Sequence, residues 1–175
     1  MKKTLDVLSV DCDWVNSKKQ LTDLISFVAP LLVTHEEIHL AYDHHDIYQL
    51  FPLNCAEEIN IYNIDHHHDY AYKIHATLEE SNWMFHLTNM FPTRINYLWV
   101  CNPESEHMGF DNYQRFKQKI KTFKFDFSLN SIEKRRFDKI FVCSSPGYNT
   151  SQEAIMAYKI IEGIIKNESR SKRWN

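Results

Sequence analysis

Residues 63–69 read Asn-Ile-Asp-His-His-His-Asp, three imidazoles in a row between two carboxylates, directly behind the apolar run that begins at Ile59. Side chains of these types do two kinds of chemistry: they move protons near neutral pH, and they hold divalent cations. The theme recurs twice. Asp11 and Asp13 close the run "LDVLSVDCD", and Asp43, His44, His45 and Asp46 follow "IHLAY". In an extended segment, side chains two apart share a face. Asp65, His67 and Asp69 are therefore expected together, with His66 and His68 turned away, and Asp11 is expected beside Asp13. His44 or His45 adds an imidazole. Four carboxylates brought together repel one another, and a divalent cation resolves the conflict. An oxygen and nitrogen donor set without cysteine favours Mn²⁺ or a similar ion over structural zinc. Two ions ~3.5 Å apart would use this many ligands.

One Asp/His-rich turn would be read as ordinary surface; three in one short chain argue for a metal site. Cys12, between two proposed ligands, is expected to point into the core. His35, His39, His75 and His107 read as ordinary polar residues, and His86 is left open.

These clusters need strands that end at one edge. "LDVLSVDCDW", "EEIHLAYDHHD", "INIYNIDHHHD", "RINYLWVCNP" and "FDKIFVCSSPGY" are strand-like. Between them, "KKQLTDLISFVAPLL" and "SNWMFHLTNMF" have helical spacing, and "IYQLFPLNCAEE" is a short helix or turn broken by Pro52. A closing helix is expected over "TSQEAIMAYKIIEGIIK", capped by Thr150 or Ser151 with Glu153 nearby. Residues 104–136 show no clear period. Strands alternating with helices predict an α/β three-layer sandwich around a mostly parallel sheet, in which ligands bind at the carboxyl ends of the strands.

The 175 residues, 43% hydrophobic, suit one domain spanning 1–175. A net charge of -3 gives no electrostatic case for nucleic acid, and the local basic groups in "EKRRFDK" and "NESRSKRWN" read as solvated surface. No apolar stretch approaches the ~18 residues of a membrane span, and "MKKTLDVLSV" lacks a signal-peptide pattern. The 4 cysteines form no C-x-x-C pair, so reduced thiols in a cytoplasm are expected. With only 3 glycines, neither a G-x-G-x-x-G loop nor a Walker loop occurs.

The motifs resemble those of the arginase/deacetylase superfamily of binuclear manganese hydrolases, especially its peptide arginase-like branch. Asp65-His66-His67-His68-Asp69 matches D-x-H-x-D, Ser9-Val10-Asp11-Cys12-Asp13 matches S-x-D-x-D, and Asp43-His44 matches the D-H motif. "SNWMF" and "CSSPGYNTSQEA" are similar to that branch's Asn-Trp and Ser-Pro-x-Tyr-Thr segments. The resemblance implies a shortened arginase-like fold with two Mn²⁺ per chain. Asp65 and Asp11 would bridge the ions, His44 and Asp69 would complete one, and His67 and Asp13 the other. It also implies a guanidinium substrate, such as an arginine side chain in a peptide, cleaved to urea and peptidyl ornithine. Asp13 or His68 would relay a proton to the leaving amine.

This chain departs from arginase in four ways: S-x-D-x-D precedes D-x-H-x-D, Ala41-Tyr42 stands where arginases carry Gly-Gly, the chain is much shorter, and no residue matches the acid that recognises the guanidinium. "VDCD" and "IDHH" are also similar to the DHH phosphoesterases, although the glycine-rich motif of their second domain is missing. A metal-stabilised binding or inhibitor protein without turnover is the further alternative.

Overall fold

The computed structural model of the chain describes residues 2–70, 77–105, 117–133, 136–148 and 151–171. His75, His107 and Thr150, together with parts of the two basic segments, lie outside the described residues.

Six strands form one all-parallel sheet: β1 Lys2–Asp11, β2 Ile38–Ala41, β3 Ala56–Asp65, β4 Ile95–Cys101, β5 Thr122–Asp126 and β6 Lys139–Cys143, in the order β2-β6-β1-β3-β4-β5. Helices cover both faces, so the expected three-layer α/β sandwich is the architecture found. A parallel sheet covered on both sides buries its central strands on both faces, as in the carboxyl halves of β1 and β3, where residues 7–11 and 61–65 are all buried.

One face packs against helix α1, Lys18–Thr34, and the closing helix α3, Gln152–Ser171. Leu24, Val28 and Leu32 form the buried stripe of α1, spaced four apart. They share a core with Leu8, Val10, Ala154, Ala157 and Ile161. Ser17 caps α1 by accepting the Gln20 N–H at 3.3 Å, and Ser151 caps α3 by accepting the Ala154 N–H at 3.1 Å. The opposite face packs Val7, Ile59 and Ile61 against helix α2, Trp83–Met90, and the 3₁₀ helix His44–Leu50.

The chain leaves β1 toward β2 at one sheet edge and leaves β3 toward β4 on the other side. The carboxyl ends of β1 and β3 therefore flank the point where the connections diverge, the usual place for a ligand in such sheets. Asp11 ends β1 and Asp65 ends β3. The segment 104–136, which shows no clear period, contributes β5. That strand is short, lies at the edge and is largely exposed, so its alternating Phe123-Lys124-Phe125 carries a weak signal.

Candidate metal centre

The strands stop sooner than their sequence suggests, and the stopping builds the site. β1 ends at Asp11, whose Oδ1 accepts the N–H of Asp13 at 3.0 Å. β3 ends at Asp65, whose Oδ1 accepts the N–H of His67 at 2.8 Å. Each is an aspartate turn, in which the side chain takes a backbone donor two residues on and bends the chain back over the carboxylate. Strand alternation is thus not what gathers these residues, contrary to expectation. Asp13 lies in the 3₁₀ turn Cys12–Trp14, and Asp69 takes a left-handed φ of 54°, a conformation aspartate tolerates better than most residues. Cys12 does point away, into the core formed with α1 and α3.

His44 is the centre of one group. β2 ends at Ala41, and His44 opens the 3₁₀ helix that follows. Its ring is 1% exposed, stacked over Phe141 at 5.8 Å and tilted against Trp83 at 5.1 Å. Nε2 lies 2.8 Å from the Ser9 hydroxyl. Nδ1 faces Oδ2 of Asp69, Asp65 and Asp11 at 2.9, 3.0 and 3.2 Å, yet no acceptor meets hydrogen-bond geometry, leaving it a buried atom without a hydrogen-bond partner. A point equidistant from these atoms suits a cation. The second group comprises Asp13, Asp65 and His67. His67 Nδ1 lies 3.0 Å from Asp13 Oδ2 and 4.0 Å from Asp65 Oδ1. Asp65 thus offers one oxygen to each group, as a bridging ligand would. Asp11 groups with His44 and Cys143, not with Asp13 and His67.

Neutral donors orient the carboxylates. Trp83 Nε1–H donates to Asp69 Oδ2 at 2.6 Å, Asn63 Nδ2 to Asp65 Oδ2 at 3.0 Å, and the Ser145 hydroxyl to Asp11 Oδ2. The His66 N–H donates to Asp13 Oδ1 at 3.1 Å. Such outer partners hold ligands in place. Ser9, Asn63 and Ser145 were not read as site residues. For Ser9 and Asn63 the available signal was a polar residue two positions before a strand-ending aspartate; Ser145 had none.

The electrostatics show the strain of crowded charge. Burial alone would push the His44 pKa down, but the charges of Asp69 and Asp65 outweigh it and hold it well above the ordinary value. Burial, then the Asp69 and Asp13 charges, push the Asp65 carboxyl well up, opposed by His44. For His67, burial is again outweighed, here by its hydrogen bond to Asp13, and its pKa rises.

Asp11, Asp13, His44, Asp65, His67 and Asp69 are therefore all brought together. His68, expected as a proton relay, is not at the centre. Its Nδ1 accepts the Tyr70 N–H at 3.0 Å, its ring abuts Trp99, and burial lowers its pKa. His45 and His86 belong to neither group. His35 bonds the Phe137 carbonyl and His39 pairs with Glu37, ordinary polar roles. The cleft over the cluster is about 10 Å³, with Ser81, Ser145 and Tyr148 completing its wall. Among the described residues, no helix is long and apolar enough to cross a membrane. No family model, curated protein or solved structure matches this chain.

Proposed function

We propose that this chain is a binuclear metal hydrolase of arginase-like type, which uses Mn²⁺ to release urea from a guanidinium such as an arginine side chain in a peptide. One observation carries the reading: buried carboxylates of Asp11, Asp65 and Asp69 converge on a buried imidazole nitrogen that makes no hydrogen bond. Buried charge of this kind demands compensation, and the oxygen and nitrogen donors fit a hard divalent ion. His44, Asp11, Asp65 and Asp69 would hold one ion; Asp13, Asp65 and His67 would hold the other. Bound there, the metal would supply water acidified toward neutrality as a nucleophile.

The remaining work falls to the chain. Trp83, Asn63 and Ser145 fix the carboxylates through their hydrogen bonds. Asp13 has Oδ1 tied to the His66 N–H and keeps Oδ2 toward His67 at the half-exposed mouth. In this reading Asp13 would carry a proton to the leaving amine, while the His68 ring packs against Trp99.

Elemental analysis after Mn²⁺ loading should find about two ions per chain, and an arginine-containing peptide should release urea. Absence of any divalent metal would overturn the reading. The narrowness of the cleft favours a second reading, a metal-stabilised binding protein. Bound metal with no turnover of guanidino or phosphoester substrates would decide for it.

A further inference from the structure

We propose that Cys143 is a ligand of the ion at His44, which makes the two metal positions chemically unequal. The inference rests on the metal-centre reading above and adds to it a sulfur donor. Cys143 ends β6 as Asp11 ends β1 and Asp65 ends β3. β6 and β1 are adjacent, with Asp11 and Cys143 paired in the parallel register. The three strand termini therefore present their last side chains side by side on one sheet face, the face that Cys143 shares with Val7 and Phe141.

Proximity follows from that register. Cys143 Sγ, a carboxylate oxygen of Asp11 and a ring nitrogen of His44 all lie within 4.8 Å of one another. Zinc bonds of ~2.3 Å to sulfur and ~2.0 Å to nitrogen fit ligand atoms at such spacings. The thiol is fully buried, and its contact is the Ser145 hydroxyl at 3.6 Å, which itself donates to Asp11. A second observation points to a ligand in the same place: the buried His44 Nδ1 that has no hydrogen-bond partner. Ligation would break the S–H bond, form a sulfur–metal bond and release one proton to solvent.

A thiolate with an imidazole and carboxylates suits a borderline ion such as Zn²⁺ or Co²⁺ better than Mn²⁺. The position formed by Asp13, Asp65 and His67 has no sulfur and stays suited to a hard ion. The His44 position would therefore take Zn²⁺ or Co²⁺ in preference, and Mn²⁺ more weakly.

Titration of the reduced, metal-free full chain with Co²⁺ tests this without any assay of activity. The visible ligand-field bands should be joined by a near-ultraviolet thiolate-to-cobalt charge-transfer band that saturates at one equivalent. Cys143→Ser should abolish the charge-transfer band, keep the visible bands, and weaken Zn²⁺ binding by on the order of 100-fold, since loss of an outer partner alone costs 10–100-fold. Cys12→Ser, on the opposite sheet face, should keep both sets of bands. X-ray absorption of the zinc-loaded wild-type chain should show one sulfur at ~2.3 Å, a measurement that stands even if Cys143→Ser folds poorly. Visible bands without charge transfer, or a charge-transfer band that survives Cys143→Ser, would remove Cys143 while leaving the metal centre intact. Failure to bind cobalt at all would overturn both readings.

Discussion

Trp83 and the three histidines of residues 66–68 show how the environment, not the residue type, assigns roles around this centre. Trp83 is fully buried and spends its one donor on Asp69 Oδ2 at 2.6 Å. Trp83→Phe should keep most of the ring packing and lose that donor, so metal affinity should fall by about 10–100-fold. A competition titration against a chelator measures this; unchanged affinity would mean that Asp69 is no ligand. Of the histidines, His67 directs a ring nitrogen to the carboxylates, 3.0 Å from Asp13. His66 serves through its backbone N–H, and His68 packs against Trp99. His67→Ala should therefore lose about one metal equivalent, while His66→Ala keeps both. Loss of an ion in His66→Ala with retention in His67→Ala would refute the assignment of the second group.

The elements position these groups through their ends. Aspartate turns at Asp11 and Asp65 halt two central strands and fold Asp13 and His67 back over them. Among the described residues three non-glycines are left-handed, and two of them, Asp69 and Ser145, lie at the centre, with φ of 54° and 40°. Conformations of that kind cost on the order of 1–3 kcal/mol and persist where surrounding contacts over-determine them; here Asp69 is held by Trp83 and Ser145 by Asp11. The closing helix is tied to the same region by Ser151, whose Oγ accepts the Ala154 N–H at 3.1 Å and donates to the Val15 carbonyl at 2.9 Å. Ser151→Ala should destabilise the fold by about 1 kcal/mol, the usual worth of a helix cap. A shift in the denaturation midpoint at constant slope would report it.

Over the whole molecule, the crowded charges couple folding to protons and would couple it to a bound metal. The pKa values of His44 and His67 lie above the ordinary 6.5 and that of Asp65 lies well above 3.8. In the metal-free state the folded chain thus binds these protons more tightly than the unfolded chain does. Stability should then fall as pH rises, with the lowered pKa of His68 opposing this only up to about 6.5. The Asp65 contribution declines from just above the ordinary carboxyl value, and the histidine contributions from near 6.5 up through their raised values. Thermal unfolding of the metal-free protein should accordingly show a lower Tm at pH 8 than at pH 6. Manganese should reverse the sign, because ligation requires neutral imidazole and charged carboxylate. At free metal 100 times Kd the folded state gains about 2.7 kcal/mol. A metal-free Tm that rises between pH 6 and 8 would contradict the charge pattern.

How much of this was legible beforehand follows from the range of the forces involved. The apolar runs of β1, β3, β4 and β6 and the four-residue spacing of Leu24, Val28 and Leu32 are local signals. So is the recurrence of Asp and His just past three strands, which pointed to Asp11, Asp13, Asp65, His67 and Asp69 with either His44 or His45; the choice of His44 came from the resemblance to the arginase D-H motif. The inward direction of Cys12 followed from its neighbours. By contrast, β5 gave too weak an edge-strand pattern, and the aspartate turns depended on backbone donors that alternation along a strand does not reveal. The neighbourhood of Cys143 and Ser145 was beyond sequence. Ser145 meets Asp11 across 134 positions, and only the insertion of β6 between β1 and β2 makes them adjacent. Side-chain chemistry and short periods are written residue by residue, but strand order is decided by how the two helix layers cover the sheet. That order brought a thiol and a hydroxyl to the carboxylates.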